Sequence, residues 1–394
     1  MAENKIYRAS TTAPVNIAVI KYWGKRDPHL NLPTNSSLSV TLSQSDLRTH
    51  TTASCSPTYP PAEGDTLLLN SHPQSLSTPR SLACLTSLRS LRRSLESANP
   101  SLPPLSSYPL HIISTNNFPT AAGLASSAAG FAALVRAIAD LYTLPQSPEE
   151  LSLIARQGSG SACRSLLGGY VAWDAGHKGD GSDSRARLVA PRSHWPEMRA
   201  MILVASAMKK DVSSTSGMQA TVATSSLFRT RAEVVVPREM AAMEKAIEGR
   251  DFEGFGKIAM RESNSFHACC LDTEPPIRYL NDVSWAAMQL VQGVNEKVGR
   301  VVAAYTFDAG PNCVVYFLEG DRREVVGCLA GCLKEGLVER VEGGVELEDG
   351  LEGAKEVLRR GVSNVIMTGV GEGPVSVEDH LIDEKGEEVQ KNGV

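Results

Sequence analysis

The chain contains 394 residues, and its 42% hydrophobic and 21% charged residues are ordinary proportions for a globular protein. These proportions exclude a disordered tail protein, a collagen and a coiled-coil rod. A formal net charge of −5 at pH 7 gives no overall positive field that would attract nucleic acid or an anionic membrane, so we expect neither as a partner.

The cysteines and the N-terminal residues indicate where the protein works. The eight cysteines are scattered without a CxxC pair or a histidine cluster, which predicts reduced, mostly buried thiols and no dedicated metal site. MAENKIYRAS lacks the apolar core of a signal peptide, and no uncharged apolar run approaches the ~18 residues of a membrane helix. We therefore expect a cytoplasmic protein.

In the first half of the chain, hydrophobic alternation and capping patterns define the predicted elements. Ser147-Pro148-Glu149-Glu150, for example, is a capping box that begins a helix. In chain order we predict a strand from residue 5 that ends at Lys21, a strand over 36–52, a short hairpin at 67–69, a helix over 81–97, a strand at 110–114, a helix through Tyr142, a helix from Ser147, a short helix carrying Arg164, a strand at 170–173 and an exposed polar loop over 176–187.

The densest run of arginines lies in the predicted helix over 81–97. Arg89, Arg92 and Arg93 alternate with leucines at helical spacing. We interpret them as the solvated face of an amphipathic helix rather than as a nucleic-acid site.

The second half of the chain contains more helix. Strands followed by helices, with few regular βαβ alternations, favour an α+β protein, which we divide into residues 1–195 and 196–394 with a loosely attached tail from about 375. The elements predicted in this half are a strand at 199–207, a polar loop at 209–217, helices near 217–232, 237–249, 251–266 and 283–298, a hairpin of 301–307 and 313–318, a helix at 321–335, a variable stretch at 336–353, a helix near 353–360 and a strand at 363–368.

The most informative segment is a loop of very small residues, 118–130, between a predicted strand and a predicted helix. Small side chains let a bulky ligand approach the backbone N–H groups, and the first helical turn adds unpaired donors. Ser126 and Ser127 stand at the helix entry, so the loop predicts a nucleotide phosphate site. The alternative is a closely packed helix start with a serine N-cap, since the loop is neither a Walker A sequence nor a GxGxxG fingerprint.

Several segments resemble one known family. PTAAGLASSAAG at 119–130 is similar to the phosphate-binding motif of the GHMP small-molecule kinase superfamily, and further motifs resemble the diphosphomevalonate decarboxylase family within it. The resemblance runs from about residue 5 to about 383, with gaps at 55–80, 176–190 and 336–360. The motifs are APVNIA at 13–18, KYWGK at 21–25, NLPTNSSLS at 31–39, GSGSACRS at 158–165, VSSTSGM at 212–218 and DAGPN at 308–312.

The resemblance implies a fold and a reaction. The implied fold is a two-lobed α+β GHMP-kinase-like structure, with one lobe like the second domain of ribosomal protein S5, a ferredoxin-like C-terminal lobe and the site between them. The implied reaction uses ATP to phosphorylate the tertiary hydroxyl of mevalonate 5-diphosphate and then releases phosphate and CO2, giving isopentenyl diphosphate for isoprenoid and sterol synthesis. The resemblance also implies Mg²⁺ held mainly by the ATP phosphates, and a homodimer.

The resemblance also assigns roles to individual residues. Asp308 becomes the base and Arg164 the partner of the substrate carboxylate, with Lys21 pairing with Asp308 and Asn16 bonding near the same centre. From the residues alone, Asp308 would be an ordinary turn aspartate, Arg164 a surface arginine and 21–25 an exposed basic turn. The remaining implied residues are Tyr22, Lys25, Ser159, Ser161, Ser214 and Thr215 for substrate and Gly123, Leu124, Ala125, Ser126 and Ser127 for ATP, with Ser127 also catalytic and able to help hold Mg²⁺.

Two rival functions use the same fold. A GHMP kinase would stop at the phosphorylated alcohol and release ADP without CO2, whereas a non-catalytic sensor would bind metabolites without turnover. The YWGK and SGSACRS segments favour the decarboxylase over the kinase. The presence of Asp308, Arg164, Ser126 and Ser127 argues against the sensor.

Overall fold

The structure is a computed structural model that describes residues 5–118, 126–205, 212–339, 341, 347 and 350–389. Its strands are β1 Tyr7–Pro14, β2 Asn16–Ile20, β3 Lys25–Asp27, β4 Leu32–Pro33, β5 Ser37–Thr41, β6 Arg48–Cys55, β7 Thr66–Leu69, β8 His72–Gln74, β9 Leu110–Asn116, β10 Tyr170–Trp173, β11 Ala186–Ala190, β12 Met198–Ala205, β13 Ala303–Phe307, β14 Cys313–Leu318, β15 Val362–Gly369 and β16 Val375–Val377.

Helices cover the sheets and carry several of the candidate site residues. A 3-10 turn spans Gly160–Leu166, and a π-helical turn spans Arg231–Val235. The α-helices are α1 Pro79–Ala98, α2 Ser126–Leu141, α3 Pro148–Gly158, α4 Ser214–Thr224, α5 Phe228–Thr230, α6 Val236–Glu248, α7 Phe252–Leu271, α8 Asp282–Val298, α9 Arg322–Gly331 and α10 Glu352–Gly361.

The strands form three larger sheets and one small hairpin. One sheet has the order β16-β1-β6-β9-β7-β8, a second β11-β10-β5-β2 and a third β13-β14-β12-β15, while β3 pairs with β4. Helices α1 to α3 pack on the first sheet, and α8 to α10 pack on the third. The mixture of helices and mostly antiparallel sheets confirms the predicted α+β class.

Two predicted strands are each divided between sheets. The strand predicted to end at Lys21 is β1 and β2, which separate at Val15 and join different sheets. The strand predicted over 36–52 is β5 and β6, because residues 43–47 form a turn in which the amide of Leu47 donates to the carbonyl of Ser43. Both predictions of one continuous strand are wrong, because alternation alone does not show where a chain leaves one sheet for another.

Two segments predicted as peripheral are packed. The end of the predicted polar loop over 176–187 belongs to β11, and buried Arg156 donates to the carbonyl oxygens of Gly181 and Ser184. The predicted loose tail begins with β16, which pairs with β1, and Ile382 is fully buried. The prediction of a loosely attached tail is wrong for the described residues, whereas the predicted loop is confirmed over 176–185 and ends where β11 begins.

Arg92 also contradicts its predicted position on a solvated face. Its side chain is 1% exposed, and its guanidinium donates to the carbonyl oxygens of Tyr142 and Pro103 and to the Glu96 carboxylate. Arg92 therefore ties α1 to the end of α2, and of the three arginines only Arg93 is exposed. A buried guanidinium that is fully used by carbonyl and carboxylate acceptors gives the same sequence pattern as a solvated one.

The predicted helix over 217–232 is also divided. Ser213 caps α4, which ends at Thr224, and a short break precedes α5 and the π-helical turn. Parts of the predicted loop 209–217 and of the variable stretch 336–353 lie outside the described residues.

A shared hydrophobic core joins the two halves of the chain. Strands β2 and β5 of the first half pack with β12, α6 and α7 of the second half around Trp195 and Phe255. The division at 195/196 stays a prediction, since this core crosses it. Within the described residues, no helix is both long and apolar enough to cross a membrane.

Candidate active site

A cavity of about 340 Å³ lies where the end of β2, the start of α2, the 3-10 turn, the start of α4 and the turn after β13 meet. The predicted residues Gly123, Leu124 and Ala125 lie outside the described residues. The structure brings the other predicted site residues together in this cavity: Asn16, Lys21, Tyr22, Lys25, Ser126, Ser127, Ser159, Ser161, Arg164, Ser214, Thr215 and Asp308.

Residues 21–25 form one buried wall of the cavity. Lys21 is 3% exposed and Lys25 is 8% exposed. Gly24 has a φ of +90°, and a Cβ on it would lie 2.4 Å from the Phe228 ring, so the turn between the two lysines requires glycine. The alternative interpretation of this segment as an exposed basic turn is therefore wrong.

Lys21 and Asp308 form an ion pair across the cavity, as the sequence predicted. The Lys21 ammonium donates to Asp308 Oδ1 at 2.7 Å. Burial lowers the pKa of Lys21, while the charge of Asp308 opposes that effect. Asp308 follows β13 directly, and its side chain remains 38% exposed. The Lys21 ammonium thus fixes the position of the Asp308 carboxylate in the lining of the cavity.

Arg164 is a buried cation, 2% exposed, on the 3-10 turn. Its Nε donates to Ser39 Oγ at 2.9 Å and to Asn16 Oδ1 at 3.3 Å, and its Nη1 donates to Ser37 Oγ at 2.6 Å. Within the described part of the chain, these neutral bonds leave Nη2 unused and no carboxylate forms an ion pair with Arg164. A buried charge with only neutral partners is costly, so it marks a place for an anionic ligand. The interpretation of Arg164 as a surface arginine is wrong.

Asn16 orients this guanidinium. Its side-chain amide donates to Ser165 Oγ at 2.7 Å and to the carbonyl of Ser161 at 3.1 Å, while its oxygen accepts from Arg164. Asn16 stands at the start of β2, so it connects that strand to the turn that carries Arg164. The geometry places Asn16 as an orienting group for Arg164.

Tyr22 presents a buried hydroxyl group to the cavity. Among the described residues its Oη has no hydrogen-bond partner, and burial raises the pKa of Tyr22, so the phenol stays protonated and can donate. A Cβ on Gly160 would lie 2.9 Å from this oxygen, which explains the glycine there. Ser127 Oγ lies 3.3 Å from Ser159 Oγ and links the start of α2 to the same region.

Arg80 is a cavity residue that the sequence reasoning missed. It stands in the first turn of α1, and its Nη2 donates to Thr215 Oγ1 at 3.0 Å. Burial, and then the nearby charge of Arg80, lower the pKa of Lys25 to about 8. An arginine at a helix N-terminus opposes the helix dipole. That unfavourable placement was the signal in the sequence that could have singled out Arg80.

The described lining residues fit a divalent cation only in part. Within the described residues, no group of three His, Cys, Asp or Glu side chains could hold a metal ion. The side-chain oxygen atoms of the described lining residues belong to serine, threonine and Tyr22 hydroxyls, the Asn16 and Asn31 amides and the Asp308 carboxylate. Such a set fits a magnesium ion that is held mainly by phosphate oxygens and water.

Comparison with known proteins identifies the family. Residues 13–186 match the model of the diphosphomevalonate decarboxylase-like N-terminal domain, and residues 200–377 match that of the mevalonate 5-diphosphate decarboxylase C-terminal domain. The chain is 65% identical to diphosphomevalonate decarboxylase of Aspergillus fumigatus over 98% of both chains. The chain belongs to the diphosphomevalonate decarboxylase family. It is therefore an enzyme, an ATP-dependent decarboxylase, and the kinase and sensor alternatives are not favoured.

Solved structures of this family confirm the fold. A crystal structure of mevalonate 5-diphosphate decarboxylase superposes with a TM-score of 0.86 at 52% identity, covering 96% of this chain and 99% of the other. A second structure, MDDEF in complex with MVAPP, AMPPCP and magnesium, superposes with a TM-score of 0.73 at 30% identity, covering 95% and 99%. The GHMP-kinase fold implied by the diphosphomevalonate decarboxylase motifs is thus confirmed.

Proposed function

We propose that the chain converts mevalonate 5-diphosphate and ATP to isopentenyl diphosphate, ADP, phosphate and CO2, for isoprenoid and sterol precursor synthesis. One observation carries the proposal. A single cavity contains the Lys21–Asp308 pair, Arg164 without an anionic partner, and the Ser126 and Ser127 hydroxyls. The binding of MVAPP and AMPPCP by the related MDDEF supports the same pair of substrates here.

The first step is phosphorylation of a crowded tertiary alcohol, which is a poor nucleophile and needs positioning and a proton acceptor. The Asp308 carboxylate accepts the hydroxyl proton as that oxygen attacks the γ-phosphorus, and the bond from the γ-phosphorus to the ADP oxygen breaks. The Lys21 ammonium at 2.7 Å favours the ionised form of Asp308 before the transfer.

In the second step the substrate loses phosphate and CO2. The C–O bond breaks and its electron pair leaves with phosphate, while the electrons of the bond to the carboxyl carbon form the new double bond. Arg164 contributes Nη2 to hold the carboxylate in the plane from which CO2 departs. Asn16, Ser37 and Ser39 accept hydrogen bonds from Nε and Nη1 and thereby fix the orientation of the guanidinium.

The substrate diphosphate is bound by the cations and hydroxyls that surround the start of α4. Lys25 and Arg80 are like charges in the same cavity, and a diphosphate would neutralise both. The Tyr22 hydroxyl is a further donor. The other proposed substrate-binding hydroxyls are Ser159, Ser161, Ser214 and Thr215.

The ATP phosphates are assigned to the start of α2. Ser126 and Ser127 line the cavity there, and we assign Gly123, Leu124 and Ala125 to the same site from their motif. Magnesium, which is present in the related MDDEF complex, would be held by phosphate oxygens with help from Ser127, and it would neutralise phosphate charge. Ser127 would orient the γ-phosphate through its hydroxyl group.

The pH dependence of substrate binding tests the assignment of Lys25. Since the pKa of Lys25 is about 8 in the free enzyme, the ammonium is lost above that pH and diphosphate binding weakens. We expect KM for mevalonate 5-diphosphate to be flat from pH 6.5 to 7.5 and to rise above about 8, by at most about tenfold per pH unit. Steady-state kinetics across this range measure the effect.

Arg80→Gln gives the matched variant. Removing the neighbouring positive charge raises the pKa of Lys25, so the rise in KM moves to higher pH while KM at pH 7 increases. A KM profile that is identical in the wild type and in Arg80→Gln would contradict the placement of both cations at the diphosphate.

Product analysis tests the proposed function itself. Incubation of the enzyme with mevalonate 5-diphosphate, ATP and Mg²⁺ should release ADP, phosphate and CO2 in equal amounts. Release of ADP alone would indicate a kinase, and ligand binding without any product would indicate a sensor.

We further propose that the chain works in the cytoplasm as a homodimer with two lobes that divide near residue 195. The cytoplasmic location is supported by eight cysteines that are all buried and unpaired. The homodimer follows from the family resemblance. Sedimentation of the purified chain measures its state, and a monomer at micromolar concentration would contradict the homodimer.

A further inference from the structure

Helix α7 holds both members of the Lys21–Asp308 pair through two adjacent residues, Glu262 and Ser263, which are both fully buried. Glu262 Oε2 accepts from the backbone amide of Lys21 at 3.2 Å. Ser263 Oγ accepts from the amide of Phe307, the residue before Asp308, at 3.0 Å. One short segment of α7 therefore sets the position of two chain segments that come from different halves of the sequence.

Arg231 completes the contact with Lys21. Its Nη2 donates to Glu262 Oε2 at 2.7 Å and to the carbonyl of Lys21 at 3.3 Å, an oxygen that also accepts from Asn35. Arg231 is 2% exposed and begins the π-helical turn, a type of irregularity that is frequent at functional sites. The amide and the carbonyl of Lys21 are thus both bonded by one buried ion pair, just beyond the end of β2.

Stability alone does not explain this ion pair. Taking two charges out of water is costly, and an apolar pair of similar volume is often as stable or more so. Among the described residues, Glu262 Oε1 and Arg231 Nε and Nη1 have no hydrogen-bond partner, so the desolvation cost is not fully offset. The Arg231–Glu262 pair instead fixes the backbone of Lys21 and places a negative charge, that of Glu262, near the Lys21 ammonium.

Several charged groups face that ammonium. Burial lowers the pKa of Lys21, Asp308 and then Glu262 raise it, and Arg164 lowers it. His267 lies nearby on α7, but burial lowers its pKa to about 3, so it carries no charge near neutral pH. Glu262 is therefore the second carboxylate, after Asp308, that favours the charged form of Lys21.

We propose that Glu262, Arg231 and Ser263 are positioning residues that hold Lys21 and Asp308 in register and keep the Lys21 ammonium charged. The inference rests on the roles proposed above for Lys21 and Asp308. It adds that the second half of the chain fixes Lys21 at two points, at its main chain through Glu262 and Arg231 and at its ammonium through Asp308.

Glu262→Gln tests the charge. The amide oxygen can still accept from Lys21, but the loss of the carboxylate lowers the pKa of Lys21 further. The fall of kcat at high pH, which we expect from loss of the Lys21 proton, should therefore begin at lower pH than in the wild type. At pH 7 kcat should fall on the order of 10²-fold, the scale of a small misplacement of reacting groups, because Arg231 loses the charged partner that holds it against the Lys21 carbonyl. KM for ATP should stay within about threefold, because Ser126 and Ser127 are untouched.

Ser263→Ala tests the position without a change of charge. It removes the acceptor for the Phe307 amide, so kcat should fall at least about tenfold, while the fall of kcat at high pH begins at the same pH as in the wild type. The matched control is Glu96→Gln, which removes the carboxylate partner of another buried arginine, Arg92, outside the cavity. It should lower Tm without changing kcat, KM or the pH profile.

If Glu262→Gln fails to fold because Arg231 is left unpaired, the double variant Glu262→Gln with Arg231→Met removes both charges. We expect it to fold and to show the same low kcat. The inference is overturned if a folded Glu262 variant keeps the wild-type kcat and the wild-type fall of kcat at high pH, as the Glu96→Gln control should. It fails on its own if Asp308 proves essential while these variants stay active, whereas an active Asp308 variant overturns the proposed role of Asp308 on which the inference rests.

Discussion

Asp308→Asn should lower kcat by about 10²- to 10⁴-fold, the usual contribution of a general base. Asparagine has almost the same shape and can still accept a hydrogen bond from the Lys21 ammonium, but it cannot take the proton of the tertiary hydroxyl. KM for ATP and for mevalonate 5-diphosphate should stay within about tenfold, because the cations and hydroxyls that bind their phosphates are unchanged. Steady-state kinetics and equilibrium binding of both ligands measure the two effects separately.

The matched control for this variant is Asp321→Asn. Asp321 lies in the same half of the chain, is buried and pairs with Arg300, but it does not line the cavity. The Asp321→Asn enzyme should be less stable than the wild type but should keep the wild-type kcat. An Asp308→Asn enzyme with a kcat within tenfold of the wild type would exclude Asp308 as the base.

Arg164→Lys should lower kcat by about 30- to 5,000-fold even though the positive charge is kept. The guanidinium uses Nε and Nη1 for Ser39, Asn16 and Ser37 and still has Nη2 for a ligand. A lysine ammonium can fill only part of this set, so the substrate carboxylate loses its fixed orientation. Losing one partner of a buried charged hydrogen bond costs about 2–5 kcal/mol, which gives this range.

Arg156→Lys is the control for geometry. Arg156 is also buried, at 3% exposure, but its guanidinium donates to main-chain carbonyls of residues 181 and 184 outside the cavity. We expect a loss of stability with kcat unchanged. Equal losses of kcat in both variants, in proportion to their loss of Tm, would show that Arg164 acts only in folding.

The sequence predicted the cavity better than it predicted the path of the chain. The motifs that contain Lys21, Arg164 and Asp308 placed these residues in one site, and the structure brings them together. By contrast, the chain leaves one sheet for another at Val15 and again at 43–47, and nothing in the local alternation marks either point. Local periodicity reports which residues are buried, not which sheet they join.

Arginines with partners far along the chain account for most of the remaining features that the sequence did not predict. Arg80, Arg92 and Arg231 look like ordinary surface residues in the sequence, because each stands in a helical segment among polar neighbours. Their roles depend on partners far along the chain, such as Thr215 for Arg80 and Glu262 for Arg231. Such pairings are tertiary information that a single sequence does not carry.

The two halves of the chain meet at Lys21. Lys21 directly follows strand β2 of the first half, while its ammonium and its main chain are bound by residues of the second half. The proposed base and the proposed phosphate-binding hydroxyls therefore come from different halves, and we expect their alignment to depend on this junction. This dependence is why the proposed reaction needs the shared core as well as the cavity.

The most direct test follows the oxygen of the tertiary hydroxyl. With mevalonate 5-diphosphate labelled with ¹⁸O at that position, phosphorylation followed by C–O cleavage should place one labelled oxygen in the released phosphate for every CO2 formed. Label that appears in water, or phosphate that carries none while CO2 is released, would contradict a reaction in which this cavity first phosphorylates the hydroxyl and then expels it.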